Sequence, residues 1–90
     1  MNGSPKQVTW ALDIRQTVID MIGKLPVGVA MKYNEELRHP DLQNAQKWIG
    51  SQTGIMRFIE ICEALLTGKT VVDLMGRPIT EYPRLRTYIF

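Results

Sequence analysis

The residues able to do chemistry in this 90-residue chain are few. There is one histidine, His39, and one cysteine, Cys62, 23 positions apart. Zinc needs four ligands, or three with an open position, so this pair builds no zinc site, and no EF-hand spacing is present for a hard cation. As a nucleophilic dyad the pair needs Cys62 exposed in electropositive surroundings. Cys62 instead falls on the apolar face of its helical run, where cysteine behaves as a small hydrophobe, and His39 sits before a proline in a turn. The carboxylate pairs Glu35-Glu36 and Glu60/Glu63 lie where solvated helix residues usually lie, and a glycosidase cleft is more than a chain this short can form. Gly50 and Gly54 lack the Lys-Ser/Thr and the preceding strand of a phosphate loop. These observations argue against an enzyme, a small hydrolase or nuclease included, and call for no metal and no cofactor.

Arg15 is the unusual residue. At about 100° per residue, Val8, Ala11, Leu12, Val18, Ile19 and Ile22 fall on one face of a helix, and Arg15 falls among them. Trp10, Ile14 and Met21 form a second apolar strip beside it. A guanidinium there has three solutions. It pairs with a carboxylate from another helix (Asp41, Glu60 or Glu63), because an unpaired buried charge is costly. It packs its stem and sends its head to the rim. Or it stands in an exposed apolar surface and anchors a partner, as interface arginines do. Trp10 and Trp48 face the same choice between core and hot spot.

Charge gives a second candidate site. Residues 1–66 are neutral, with seven Lys/Arg and seven Asp/Glu; Lys69, Arg77, Arg84 and Arg86 against Asp73 and Glu81 carry the whole net charge of +2. With Tyr82 and Tyr88 interleaved, this segment has the composition of a nucleic-acid contact, and equally of a solvated surface.

The elements that must position these residues read as follows. Ser4, Pro5 and Gln7 form a Ser-x-x-Gln capping box with proline at the first helical position, which predicts a helix over 5–22 stopped by Gly23. Pro26 opens a second helix, weakened by Gly28 and ended by Pro40. A third helical run starts at Pro40 or Asp41. Its early face (Leu42, Ala45, Ile49) is out of phase with its later one (Ile55, Phe58, Ile59, Cys62, Leu65, Leu66), which predicts two helices or a bend near 50–54, with Ser51 or Thr53 as a fresh cap and Gly68 as the end. Residues 69–90 are β-branched and aromatic. Gly76-Arg77-Pro78 reads as a turn, 71–74 and 86–90 as short strands, and the terminal Tyr88-Ile89-Phe90 as docked. The expectation is a single mainly α domain of three to four helices, with a tail over 1–4, a helical core over 5–66 and a β or extended segment over 69–90. Apolar content of 44% fits a folded domain, with a homodimer as one way to supplement a small core. One cysteine, no membrane-length apolar run and no signal-peptide pattern place it in the cytoplasm, away from membranes.

The pattern Lys6-Gln7-x-x-Trp10-Ala11-x-x-Ile14-Arg15, followed by Ala45-x-x-Trp48-Ile49, resembles a motif in small proteins of phages, plasmids and other mobile elements. Gly50 stands where those proteins usually carry Asp. The resemblance implies that Trp10, Arg15 and Trp48 belong together, in the simplest case with Arg15 on the Trp48 indole as a clasp between helices. It also implies a setting in which small proteins inhibit or regulate host systems, CRISPR effectors among them. The sequence expectation is thus a non-enzymatic binding module, anti-CRISPR-like, that engages a host protein or complex through Trp10, Arg15 and Trp48. The alternative is a nucleic-acid-binding accessory protein using Lys69, Arg77, Arg84 and Arg86 of the basic C-terminal segment.

Overall fold

The computed structural model describes residues 1–89. The chain is mainly helical: α1 Pro5–Ile22, α2 Val27–Leu37, α3 Ala45–Gly50 and α4 Gln52–Thr67, with 3-10 turns at Pro40–Gln43 and Leu85–Tyr88. Among the described residues the only β pairings are isolated bridges. The expected capping box is present: Ser4 Oγ accepts from the Gln7 amide at 3.3 Å, and Gln7 Oε1 accepts from the Ser4 amide at 3.1 Å. The phase break in the third helical run is a break in the chain path. α3 ends at Gly50, Ser51 leaves helical geometry at φ −113°, and α4 begins at Gln52 and closes at Gly68.

α1 packs most extensively on α3 and also lies against α4 and α2. Ala11 and Ala45, both without exposed surface, allow helices to approach closely. Trp48, Phe58, Leu42, Ile55, Val18 and Cys62 fill the centre. Trp48 is satisfied inside it, its Nε1 donating to the Leu42 carbonyl at 2.8 Å.

Both ends of the chain depart from expectation. Residues 1–4 are no free tail. Asn2 pairs in parallel with Asn44, its amide donating to Gln43 O at 2.5 Å and its carbonyl accepting from the Ala45 amide at 2.8 Å. Gly3 permits this docking: it holds φ +146°, and a Cβ there would meet the Ala45 Cβ at 2.9 Å. At the other end, the strand expected over 71–74 is reduced to one antiparallel bridge, Val72 with Pro78. The strand expected over 86–90 is a 3-10 turn instead, and Phe90 lies outside the described residues. This segment finds no neighbouring strand to pair with, so side chains take over its anchoring. Tyr33 Oη donates to Pro83 O at 2.5 Å, and the Glu36 carboxylate accepts from the Leu85 and Arg86 amides at 3.1 and 3.4 Å. Leu85 and Ile89 enter the core, and Tyr88 meets Phe58 with ring centroids 6.0 Å apart.

Candidate functional site

The most conspicuous surface feature is the hairpin that follows α4. Asp73 organises it. Its Oδ1 accepts from the Met75 amide (2.8 Å) and the Arg77 amide (2.9 Å), while its own amide donates to Arg77 O at 2.8 Å. The Gly76 amide donates to Asp73 O at 3.0 Å, and Gly76 holds φ +77°, the left-handed region that the turn requires and that favours glycine. Below the turn, the Ile79 amide donates to Val71 O at 2.8 Å, and the Arg57 guanidinium of α4 donates to Val72 O. Val71 is buried and Ile79 half-buried, so the base is packed. The tip is not: Leu74 is 103% exposed and Met75 76%, with Val72 at 43% beside them.

This site was missed in the sequence because 71–74 read as a strand, in which Leu74 would have been one alternating residue. The available signal was Asp73-x-x-Gly76 around two large apolar side chains, where loop tips ordinarily hold small or polar residues.

The triad of Trp10, Arg15 and Trp48 does not form one surface. Trp48 has no exposed area, which corrects its expected role in binding a partner. Trp10 is 51% exposed and lines a shallow groove of about 430 Å³ with Lys6, Thr9 and Asp13. Arg15 is half-buried, and among the described residues it makes no salt bridge and no cation–π contact with Trp48. Its candidate acids are placed otherwise: Asp41 lies 3.4 Å from His39 Nδ1, Glu60 lies 3.3 Å from Arg57, and Glu63 is solvent-exposed. The reason is legible on α1. Its buried residues Ala11, Val18, Met21 and Ile22 centre the core-facing arc between the two apolar strips, and Leu12 is left exposed. Arg15 therefore sits at the edge of the arc, half-buried.

His39 and Cys62 serve structure. His39 Nδ1 accepts from the Asp41 amide at 3.1 Å and caps a 3-10 turn. Cys62 is fully buried 3.9 Å from Tyr33 Oη. Burial pushes its thiol up to about 11, and burial likewise raises the Tyr33 hydroxyl above its ordinary range.

The four C-terminal cations split into two groups. Arg77 faces Asp73 on the hairpin at 3.7 Å, and Lys69 lies at its approach. Arg84 precedes the last 3-10 turn and Arg86 lies within it, and both line the walls of two grooves, of about 790 and 280 Å³. Among the described residues no group of three or more His, Cys, Asp or Glu side chains converges as a metal site requires, and no helix is long and apolar enough to cross a membrane. Comparisons with known protein families, with curated proteins and with solved structures return no match.

Proposed function

We propose that this chain is a non-catalytic protein-binding module whose contact element is the 71–79 hairpin. Its tip, Leu74 and Met75, enters an apolar cleft on another protein. The observation that carries the reading is a turn closed by four hydrogen bonds at Asp73 that displays two large apolar side chains to solvent. Burying a side chain of this size contributes about 1.5–3 kcal/mol. A loop already ordered by Asp73 and Gly76 gives up little conformational freedom on binding, so more of that gain reaches the affinity. Methionine adapts to irregular clefts, which suits the second anchor. The resemblance of its Lys6–Arg15 and Ala45–Ile49 pattern to small mobile-element proteins suggests the setting: a regulator or inhibitor that occludes a surface of a host complex. Its slight positive charge argues against mimicry of nucleic acid, which would call for an acidic chain.

The test is photo-crosslinking in nuclease-treated host lysate with photo-methionine at position 75. The expected result is one protein adduct, competed by unlabelled wild type and not by Leu74→Ser/Met75→Ser. An adduct competed equally by both proteins, or labelling of a second copy of this chain alone, would sink the reading.

A further inference from the structure

The smaller of the two grooves beside the last 3-10 turn brings together cations from distant parts of the sequence. Lys47 comes from α3; Arg84 and Arg86 come from the C-terminal turn; Asp41, Thr87 and Ile89 complete the walls around about 280 Å³. Lys47 is half-buried and lines the same groove as the two arginines. Among the described residues none of the three cations forms a salt bridge. Asp41 is the one carboxylate among the described residues that lines the groove, and the nearby Glu36 holds the Leu85 and Arg86 amides. Three cations thus share a groove with one carboxylate. Their mutual repulsion does nothing for the fold, whereas an anion in the groove would turn each of them to advantage. The wider groove on the other side of Arg84 and Arg86 carries both signs, Lys32 against Glu35 and Glu81, so the excess positive charge is local.

We infer that this groove binds the phosphodiester backbone of single-stranded nucleic acid, without base readout and independently of the hairpin. The ligand is a strand rather than a duplex because the groove is small and walled on one side by α3 with its preceding turn and on the other by the C-terminal turn. Among the described residues no aromatic side chain lines it, so the affinity argued here rests on charge. Three phosphate contacts on a single strand give a slope of log K against log salt of about −2, and sequence-independent binding in the range of about 10⁻⁴ to 10⁻⁶ M. The site differs from the cation set suggested by composition: Lys47 belongs to it, and Lys69 and Arg77 do not.

Fluorescence anisotropy with a fluorescein-labelled oligothymidylate tests this, with helical content of each variant checked by circular dichroism. The expected result is binding at about 50 mM salt that weakens about tenfold in Arg84→Ala/Arg86→Ala and is unchanged in Lys69→Ala/Arg77→Ala. Lys47→Ala is expected to reduce the salt slope by about 0.7, and Leu74→Ser/Met75→Ser to bind as wild type. No binding at low salt would overturn the inference, as would equal losses in both double-alanine variants. Tighter binding of a duplex of the same length would overturn the single-strand assignment.

Discussion

At the scale of single residues, the chain uses its rarer chemistry to hold itself together. Cys62 is the clearest case. Burial raises its thiol from an ordinary 9.0 to about 11, so the folded state holds that proton more tightly than the unfolded state does. The stability this confers is whole below pH 9 and drains away as pH rises toward 11. It amounts to about 2–3 kcal/mol, and Tyr33, raised by the same burial, adds loss in the same direction. Guanidinium titrations at stepped pH are expected to show this fall in wild type and a shallower one in Cys62→Ala; parallel curves would show that Cys62 does not titrate with unfolding. The same burial is expected to leave Cys62 inert to an aromatic disulfide reagent in native protein. Reaction would follow unfolding, slower than in denaturant by about a thousandfold or more. Arg15 carries the complementary lesson. A cation drawn on the middle of an apolar stripe lies at its rim once the second strip, Ile14 and Met21, shares the burial.

At the scale of elements, what the sequence disclosed depended on how local the cause was. The capping box at Ser4, the stop at Gly68, and the break between α3 and α4 arise from residues a few positions apart, and all three were legible. So was α2, despite Gly28, because Pro26 and Pro40 bracket it. The ends were not legible. Docking of Asn2 beside Asn44, and of the C-terminal turn onto Glu36 and Tyr33, depends on partners some 40 to 50 positions away, which no window of sequence contains. The hairpin falls between these cases. Its turn was visible at Gly76, yet the base that holds its tip depends on Arg57 and on the packing of Val71, which only the fold supplies. Gly76→Ala places a Cβ in the left-handed region and is expected to cost about 1 kcal/mol. That cost should fall on the hairpin, because a Cβ at Gly76 meets nothing within 4 Å. Asp73→Ala removes the two side-chain bonds that close the turn. Amide exchange is the measurement: faster exchange at Met75 and Arg77 with α1–α4 unchanged is the expected pattern. Uniform acceleration across the helices would mean that the hairpin is an integral part of the core rather than a displayed element.

At the scale of the whole molecule, the C-terminal segment is what makes the helices a closed body. A domain of 90 residues buries a limited core and has little stability to spare. Here part of that core is Leu85 and Ile89, which arrive only after the hairpin has turned the chain back over α2 and α4. The hairpin is therefore held at both ends, by the close of α4 on one side and by the docked turn on the other, and its tip projects from a fixed base. Truncation before Thr80 tests this arrangement. It strips cover from Phe58 and Tyr33, removes the acceptor of the Tyr33 hydroxyl, and leaves the Glu36 carboxylate without its two amides. Losing one buried leucine alone costs about 2–5 kcal/mol, and this deletion also takes Ile89 and the hydrogen bonds. The expected outcome is loss of a cooperative thermal transition, with residual helix signal by circular dichroism and increased dye binding by exposed apolar surface. The milder variant Tyr33→Phe keeps the ring packed edge-on to Phe58 at 5.1 Å and removes the hydroxyl's bond to Pro83 and its weaker contact with Cys62. It is expected to remain folded and to lose about 1 kcal/mol. If the truncated chain melted as sharply as the full one, the helices would be a domain in their own right. The hairpin would then hang from a free arm, and its ordered presentation of Leu74 and Met75 would have to come from Asp73, Gly76 and Arg57 alone.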